Sequence, residues 1–270
     1  MTAPKRLIYG RPWAIRPTDL DSIRANAENW VPKPEAAKPM APMMDDGETM
    51  AADGVAVVEC AGVIIKSMSI LDEILGGVVA VGDVQEEFDE AMASDAKTVI
   101  LRIDSPGGTV SGVPELASHI FQTRQDSDKT LVAFVDGMAC SAAYWLAAQC
   151  DSIVMTEASE VGSIGVIATC YDFDRMYKNA GVDPHTFRSD DMKGAGGDNY
   201  QDIHGRAIME QVQTYNTMFR TAVARGRSIT IDQLNAFAPD SRVAIGADAV
   251  KAGFADEVST WDKVLSQYRR

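Results

Sequence analysis

The feature that most constrains this chain is an alternation of short, almost continuously apolar runs with longer amphipathic segments, which begins near Gly54. In the runs KTVILRI (97–103) and TLVAFV (130–135), apolar residues follow one another directly and do not alternate with polar ones. Strands of this kind are buried on both faces, as they are in parallel sheets. The pattern therefore predicts an α/β fold, in which helices cover a mostly parallel sheet.

Helices are predicted between these strands where apolar residues recur at intervals of three and four. The longest runs from about Tyr200 to Arg225, and its apolar residues lie on one helix face: Ile208, Val212, Tyr215, Phe219 and Val223. Shorter helices are predicted at 84–96, 114–125 and 141–149, and two more are predicted after the long helix. Further strands are predicted at 54–60, 62–66, 152–155, 166–173 and 254–258.

The first 53 residues differ from the rest in composition. Residues 31–53 are rich in Pro, Ala, Met and acidic residues and show neither a helical nor a strand period, which is typical of a flexible linker. We therefore predict an N-terminal arm and linker over 1–53 and one folded domain over 54–270, which is long enough to bury a substantial core.

Charge and cysteine usage exclude several classes of protein. A net charge of −14 disfavours nucleic-acid binding, which needs clustered Lys and Arg. No apolar run is long enough to span a bilayer and the N-terminus lacks a secretory signal, so we expect no membrane anchor and a cytoplasmic location. The four cysteines have no C-x-x-C spacing, so we expect reduced thiols, no metal and no cofactor.

Two loops that follow buried strands carry candidate chemistry. In IDSPGGTVSG (103–112), Gly107 and Gly108 allow backbone N–H groups to approach a bound oxyanion, although Pro-Gly-Gly is also ordinary turn chemistry. In GMACSAAYWL (137–146), Ser141 is either a nucleophile at a strand-to-helix junction or a helix N-cap. In the first case the Ser141 or Ala142 amide adds an oxyanion donor.

Together the two loops resemble one family. The resemblance rests on three runs: VILRIDSPGGTVSG (99–112), KTLVAFVDGMACSAAYWLAAQCDSIVM (129–155) and EVGSIGVI (160–167). They are similar to the signal peptide peptidase A family of serine peptidases, peptidase family S49, over about residues 54–258. The resemblance implies a ClpP/crotonase-like spiral fold and a Ser-Lys dyad.

The resemblance implies that Ser141 is the nucleophile and that the Gly107–Gly108 loop binds the oxyanion, with Ala142 as a further donor. The family's usual A-S-G-G-Y loop reads C-S-A-A-Y here, so Ala142 and Ala143 replace two glycines. Cys140 is also a departure, which we interpret as a small packing residue and not as an accessory thiol.

A serine hydroxyl needs a base, and no histidine lies between Ser141 and Gly181. The resemblance implies a lysine in an S-G-x-x-K-type stretch, which matches FRSDDMKGAGG (187–197) and makes Lys193 the candidate. Such a lysine must be desolvated to lose its proton near neutral pH. The neighbouring Asp190 and Asp191 are expected to point to solvent.

Ser163, in the G-S-I-G segment, is the residue that the resemblance implies to orient the lysine, although a turn serine is an equal alternative. The predicted activity is that of a serine endopeptidase acting on proteins or peptides. The family includes membrane-bound enzymes that degrade signal peptides and soluble phage enzymes that cut capsid and scaffold proteins. The missing anchor favours the phage group, and we expect a homo-oligomer.

Three alternatives to the phage group stay open. The chain is a peptidase that degrades signal peptides, a catalytically inactive peptidase-like assembly protein, or a crotonase-type acyl-CoA enzyme. The last would use glutamates such as Glu157 and Glu160 as acid and base.

Overall fold

In a computed structural model of the chain, the described residues are 13–15, 54–67, 77–170, 174–183, 185, 187–190, 192–193 and 202–269, with 13–15, 174, 202 and 203 as backbone only. The predicted linker over 31–53 lies outside these residues. The predicted domain boundary at residue 54 stays a prediction, and the first strand after it begins at Val55.

The larger sheet of the described part has seven strands. They are β2 (Val55–Ala61), β5 (Thr98–Ser105), β7 (Thr130–Cys140), β8 (Ser152–Met155), β9 (Glu160–Gly162), β10 (Val243–Ile245) and β11 (Glu257–Val258). The strand order is β10-β9-β7-β5-β2, and β8 lies between β7 and β11. Only the β9–β10 pair is antiparallel among these seven, which confirms the predicted, mostly parallel sheet.

The central strand β7 is long enough to serve two neighbours on the same side. Its first part pairs with β8, from Val132 opposite Ser152 onward, and its last part pairs with β9 up to Cys140 opposite Gly162. On its other side β7 pairs with β5, from Thr130 to Val135 and again at Ala139. The sheet therefore branches along β7, and the carboxyl end of β7 lies between β5 and β9.

A bulge turns the carboxyl end of β7. Ile103 of β5 pairs with Val135, but Ser105 pairs with Ala139, so β7 has two extra residues between these pairs. Gly137, within the bulge, has φ +119°, and a Cβ there would lie 2.3 Å from Asp104 Oδ1. Only glycine fits this position, because both the backbone conformation and the neighbouring carboxylate exclude a side chain.

A smaller sheet of four described strands lies beside the carboxyl ends of these strands. Its order is β1 (Trp13–Ile15), β6 (Gly107–Thr109), β3 (Val63–Ile65) and β4 (Val78–Ala80). β3 is parallel to β4 and β6, whereas β1 is antiparallel to β6. β6 follows β5 after one residue, so this sheet continues directly from the larger one.

Helices cover both faces of the larger sheet. They are α1 (Val81–Ala93), α2 (Val113–Gln125), α3 (Ala142–Ala147), α4 (Asp174–Asn179), α5 (Asp202–Gly226), α6 (Ile231–Phe237), α7 (Gly246–Ala252) and α8 (Trp261–Tyr268). The main core packs α1, α2, α3 and α5 against one face. A second, smaller core packs α8 against Val132 and Phe134 on the other face. The predicted long helix is confirmed, and its residues Phe219 and Val223 are buried.

Three predictions about elements need correction. The strand predicted at 166–173 is not formed within its described part, 166–170, where Ile167 makes an isolated bridge. The strand predicted at 254–258 shortens to β11, and the helix predicted at 141–149 shortens to α3. Two shorter helices were predicted after the long helix, and the described residues form three there: α6, α7 and α8.

Candidate active site

The register of the larger sheet brings three predicted segments to one edge. Ser105 of β5 pairs with Ala139 of β7, which in turn pairs with Val161 of β9. Two residues beyond these positions the chain reaches Gly107, Ser141 and Ser163, respectively. Because parallel strands end at the same edge of a sheet, the DSPGG loop, the serine loop and the G-S-I-G segment lie side by side. Helix α3 also contacts β6.

Ser141 lies in a backbone conformation that residues with a side chain seldom adopt. Its φ is +55° and its ψ is −117°. The conformation is held because the Ser141 N–H donates to Gly162 O at 2.8 Å, and the Trp145 N–H of the first turn of α3 donates to Ser141 O at 3.0 Å. A strained residue in a sharp strand-to-helix turn is the backbone geometry of a nucleophile elbow.

The side chain of Ser141 does not cap α3. Although Ser141 occupies the N-cap position, its Oγ makes no capping hydrogen bond and donates instead to Gly165 O at 3.4 Å. The residue is 0% exposed in the described chain. The N-cap interpretation of Ser141 is therefore wrong. The long, weak bond to Gly165 leaves the hydroxyl available for another partner.

Small, fully buried residues surround Ser141: Ala139, Cys140, Ala142 and Ala143. Cys140 packs between strands, with its Sγ 3.9 Å from Glu160 O, which supports its interpretation as a packing residue. The other two cysteines in the core are Cys60 and Cys150, and burial raises the pKa of each thiol to about 12.

Two aromatic residues fix α3, and with it the turn at Ser141. The Tyr144 hydroxyl donates to Phe254 O at 2.8 Å, and burial raises the pKa of Tyr144. Trp145 stacks on Phe219 of α5 with ring centroids 4.5 Å apart and an angle of 4° between the planes. The helix that follows the serine is therefore anchored to two distant parts of the chain.

The predicted oxyanion residues lie at this edge but differ in what their amides contact. The Gly107 N–H donates to Ser105 Oγ at 3.2 Å, so it is already engaged. A Cβ on Gly108 would lie 1.8 Å from Ile64 O of β3, so close strand packing alone accounts for glycine there. Ala142 begins α3, where the first amides have no partner within the helix. Gly108 and Ala142 remain the candidates for donors.

Ser163 follows β9 directly and also has a positive φ, +53°. It is buried, and its N–H donates to Arg242 O at 2.9 Å. Its neighbour Gly162 has φ +122°, and a Cβ there would lie 2.7 Å from the same Arg242 carbonyl. Since Gly162 O accepts from the Ser141 N–H, the chain around Arg242 positions both serines.

Lys193 is exposed in a turn in which its N–H donates to Asp190 O at 3.2 Å. Its ammonium forms no ion pair or hydrogen bond with any described residue, and therefore none with Ser141 or Ser163. Asp190 is exposed as expected and accepts from the Met192 N–H, whereas Asp191 lies outside the described residues. The described chain therefore does not supply the desolvation that a lysine base needs, and its role stays a prediction.

The histidines lie elsewhere. His119 on α2 is half-exposed and contacts Asp89 Oδ1 of α1 at 2.5 Å. His185 is exposed and His204 is buried on α5. The Ser141 hydroxyl bonds to a backbone carbonyl rather than to any of them.

Two residues that support the site were not singled out from the sequence. Asp104 accepts from the Met138 N–H at 3.1 Å and fills the space beside Gly137, and burial raises the pKa of its carboxyl against that hydrogen bond, which lowers it. Ser241 Oγ donates to Ile164 O at 3.1 Å. Asp104 belongs to the quoted DSPGG run, but Ser241 lies 77 residues from its partner and carries no local signal.

Within the described ranges, no helix combines the length and apolar character needed to cross a bilayer. No group of three or more His, Cys, Asp and Glu side chains in those ranges is placed to hold a metal ion.

Comparison with protein families gives one match. Residues 123–270, more than half of the chain, match the family model described as "Peptidase family S49". The match includes Ser141, Ser163 and Lys193 and begins after Gly107 and Gly108.

Comparison with individual proteins gives low identities over most of the chain. The chain is 28% identical over 218 residues to the head-tail preconnector protein GP5 of Enterobacteria phage P21, covering 79% of the chain and 42% of that protein. It is 25% identical to protease 4 of Haemophilus influenzae, covering 79% and 34%. It is 23% identical to the chloroplastic serine protease SPPA of Arabidopsis thaliana, covering 82% and 32%. The chain thus spans less than half the length of these three relatives.

Proposed function

Because the chain belongs to peptidase family S49, we propose that it is a serine endopeptidase in which Ser141 attacks the peptide carbonyl and Lys193 accepts the serine proton. The observation that carries the proposal is the geometry of Ser141. It lies at a strained strand-to-helix turn with an uncapped hydroxyl, among residues too small to block a peptide. A serine that served only to begin a helix would need none of these features.

The proposed reaction has two steps. Lys193, as a neutral amine, removes the proton of Ser141 while the oxygen bonds to the carbonyl carbon, and the Gly108 and Ala142 amides hold the oxyanion. The proton then passes to the leaving amine, and the acyl-enzyme is hydrolysed by water with the same lysine as base. Losing one oxyanion donor typically raises the barrier by about 3–4 kcal/mol, so these amides matter almost as much as the base.

Because Lys193 is exposed, the proposal also requires a partner that covers the surface around this lysine. Phe187 is 96% exposed and Met192 is 41% exposed, so apolar surface lies on the N-terminal side of the lysine in sequence. A bound substrate or a second copy of the chain that covers this surface would remove water from the ammonium and favour the neutral amine. This supports the homo-oligomer that we proposed from the resemblance.

Proteins are the proposed substrates, and capsid or scaffold proteins are the proposed subset. The similarity to a head-tail preconnector protein of a phage supports the narrower choice. The similarity to protease 4 and to a chloroplastic serine protease supports only proteolysis, and degradation of signal peptides is the competing proposal. An acyl-CoA enzyme is not supported, because the family match is to peptidases and Glu157 is exposed.

The test is cleavage of casein and of co-expressed capsid or scaffold protein near pH 8. We expect the wild type to cut and Ser141→Ala and Lys193→Ala to lose activity by factors on the order of 10³ or more while staying folded. Lys178→Ala is the matched control, since Lys178 is another exposed lysine of the same segment. Activity in Lys193→Ala would show that another base acts. A wild type that cuts no substrate in any assembly state would favour the inactive assembly protein.

A further inference from the structure

Strand β6 carries Gly107 and the candidate oxyanion residue Gly108, and it has two edges. β3 takes one edge, where Ile64 pairs with Gly108 so closely that a Cβ on Gly108 would overlap the Ile64 carbonyl. No peptide can enter between these strands. An extended peptide that bonds to β6 must therefore use the opposite edge, and addition of a strand to a sheet edge is a common mode of peptide binding.

That opposite edge is occupied by the chain itself. Residues Trp13–Ile15 form β1, which pairs antiparallel with β6 so that Trp13 lies opposite Thr109, Ala14 opposite Gly108 and Ile15 opposite Gly107. β1 is thus the outermost strand of the smaller sheet, held by β6 on one side.

The direction of β1 is the one that the acyl side of a substrate needs. β6 begins with Gly107 at the edge where Ser141 lies and runs away from it to Thr109. Because β1 is antiparallel, it runs toward the serine loop, and the register brings the backbone at Ala14 and Ile15 to the two glycines. A peptide whose carbonyl reached the same glycines would have to pair along the same edge with the same polarity.

We propose that residues 13–15 occupy the substrate-binding edge of β6 in cis, as a strand that competes with the extended peptide to be cleaved. This inference rests on the proposed peptidase function for its kinetic consequence, whereas the occupancy of β6 does not depend on catalysis. A ligand tethered to its own site acts at an effective concentration on the order of 1 mM, so it competes even when its intrinsic affinity is low. A competitor of this kind raises KM and leaves kcat unchanged.

The kinetic experiment compares the full chain with a chain that lacks residues 2–16, using an extended peptide or casein as substrate. Ala14→Pro and Ile15→Pro are tested beside the deletion. Successive N–H groups of a strand point to opposite sides, so one of the two prolines removes a donor to β6. Ala36→Pro is the matched control, because it makes the same change in the same N-terminal region outside the paired residues.

We expect KM to fall by about tenfold in the deletion and in at least one of the two proline variants, with kcat unchanged and with Ala36→Pro equal to wild type. An unchanged KM in an active deletion variant would overturn the proposal. A fall in kcat without a change in KM would also overturn it, because the arm would then support the catalytic groups and not compete with substrate.

A second measurement does not need activity. In the Ser141→Ala background, hydrogen exchange of the amides of residues 107–109 is compared with and without residues 2–16. We expect exchange to rise on deletion and to fall again when extended peptide is added. If no variant cuts any substrate but exchange responds in this way, the peptidase function fails and the occupancy of β6 stands. If wild type cuts and exchange is unchanged by the deletion, the occupancy fails and the peptidase function stands.

Discussion

The two halves of the proposed dyad lie in very different surroundings. The nucleophile segment, residues 137–165, is mostly buried, and the backbone of Ser141 is fixed by bonds to Gly162 and Trp145. The lysine segment, defined by the described residues between 174 and 193, is mostly exposed, and Lys193 contacts its surroundings through a turn within its own segment.

This difference teaches which part of a catalytic site a single chain can specify by packing. A nucleophile needs a fixed direction of approach, which buried strands and a short helix supply. A lysine base needs low hydration, which an exposed turn cannot supply without a covering surface. We infer that the serine is placed by folding and that the lysine becomes functional on assembly or substrate binding.

The largest expected effect is the loss of activity when Lys193 is replaced. Lys193→Met should lower kcat/KM by a factor on the order of 10³ and leave the melting temperature unchanged, because an exposed side chain contributes to chemistry but not to packing. Lys193→Arg should not restore activity, since a guanidinium does not give up its proton. Activity assays and thermal unfolding of the same samples measure both effects. A large fall in melting temperature would show that Lys193 has a structural role.

The next effect is the stability cost of replacing two glycines with positive φ, one in each segment. Gly137→Ala should destabilise the protein by about 2–4 kcal/mol and reduce activity, because the new Cβ would overlap Asp104. Gly181→Ala, at φ +67° with nothing within 4 Å of the added Cβ, should cost only about 1 kcal/mol. Denaturant unfolding gives both values. Equal costs would mean that backbone strain, and not packing, limits the nucleophile segment.

A smaller effect concerns acid stability on the nucleophile side. Burial raises the pKa of Asp256, but two hydrogen bonds from Arg227, at 2.6 and 2.8 Å, and one from the Ile153 N–H outweigh it and hold the pKa below its ordinary value of 3.8. A lowered folded pKa means that this stabilisation is complete above the unfolded value and is lost as pH falls through the folded one. We therefore expect Asp256→Asn to lower the melting temperature at pH 6 and to lose that difference toward pH 3. A constant difference across this range would contradict the assignment.

The smallest effect tests the anchor of α3. Tyr144→Phe should cost about 1 kcal/mol, because it removes the hydroxyl that donates to Phe254 O and leaves that buried carbonyl without this donor. Activity should fall little, because the ring still fills its place in the core. Denaturant unfolding measures the cost, and a strong loss of activity without loss of stability would show that the hydroxyl acts in the reaction.

Much of the nucleophile segment could be predicted from the sequence because its signals are local. Continuous apolar runs identified β5 and β7, and the family pattern identified Ser141 at the junction with a helix. What could not be predicted depends on distant partners. The bulge at Gly137 requires Asp104 from another strand, and the turn at Ser163 requires the Arg242 carbonyl.

For the residues after Ser163, the local sequence signals were less informative. The run at 166–173 has strong strand propensity, yet its described part forms only an isolated bridge at Ile167, because strand propensity depends on the tertiary context. The role of Lys193 was likewise assigned by pattern, and pattern contains no information about how much water surrounds an ammonium in the folded chain. In both cases the outcome depends on the tertiary surroundings, which the local sequence does not reveal.

The bonds that hold the serine turn also determine when it can form during synthesis. Ser163 is tied to Arg242, 79 residues later, and Tyr144 is tied to Phe254, 110 residues later. A nascent chain that has not yet released these residues from the ribosome carries Ser141 but lacks the contacts that set its direction. The contacts that set the direction of Ser141 can therefore form only after residue 254 has left the ribosome.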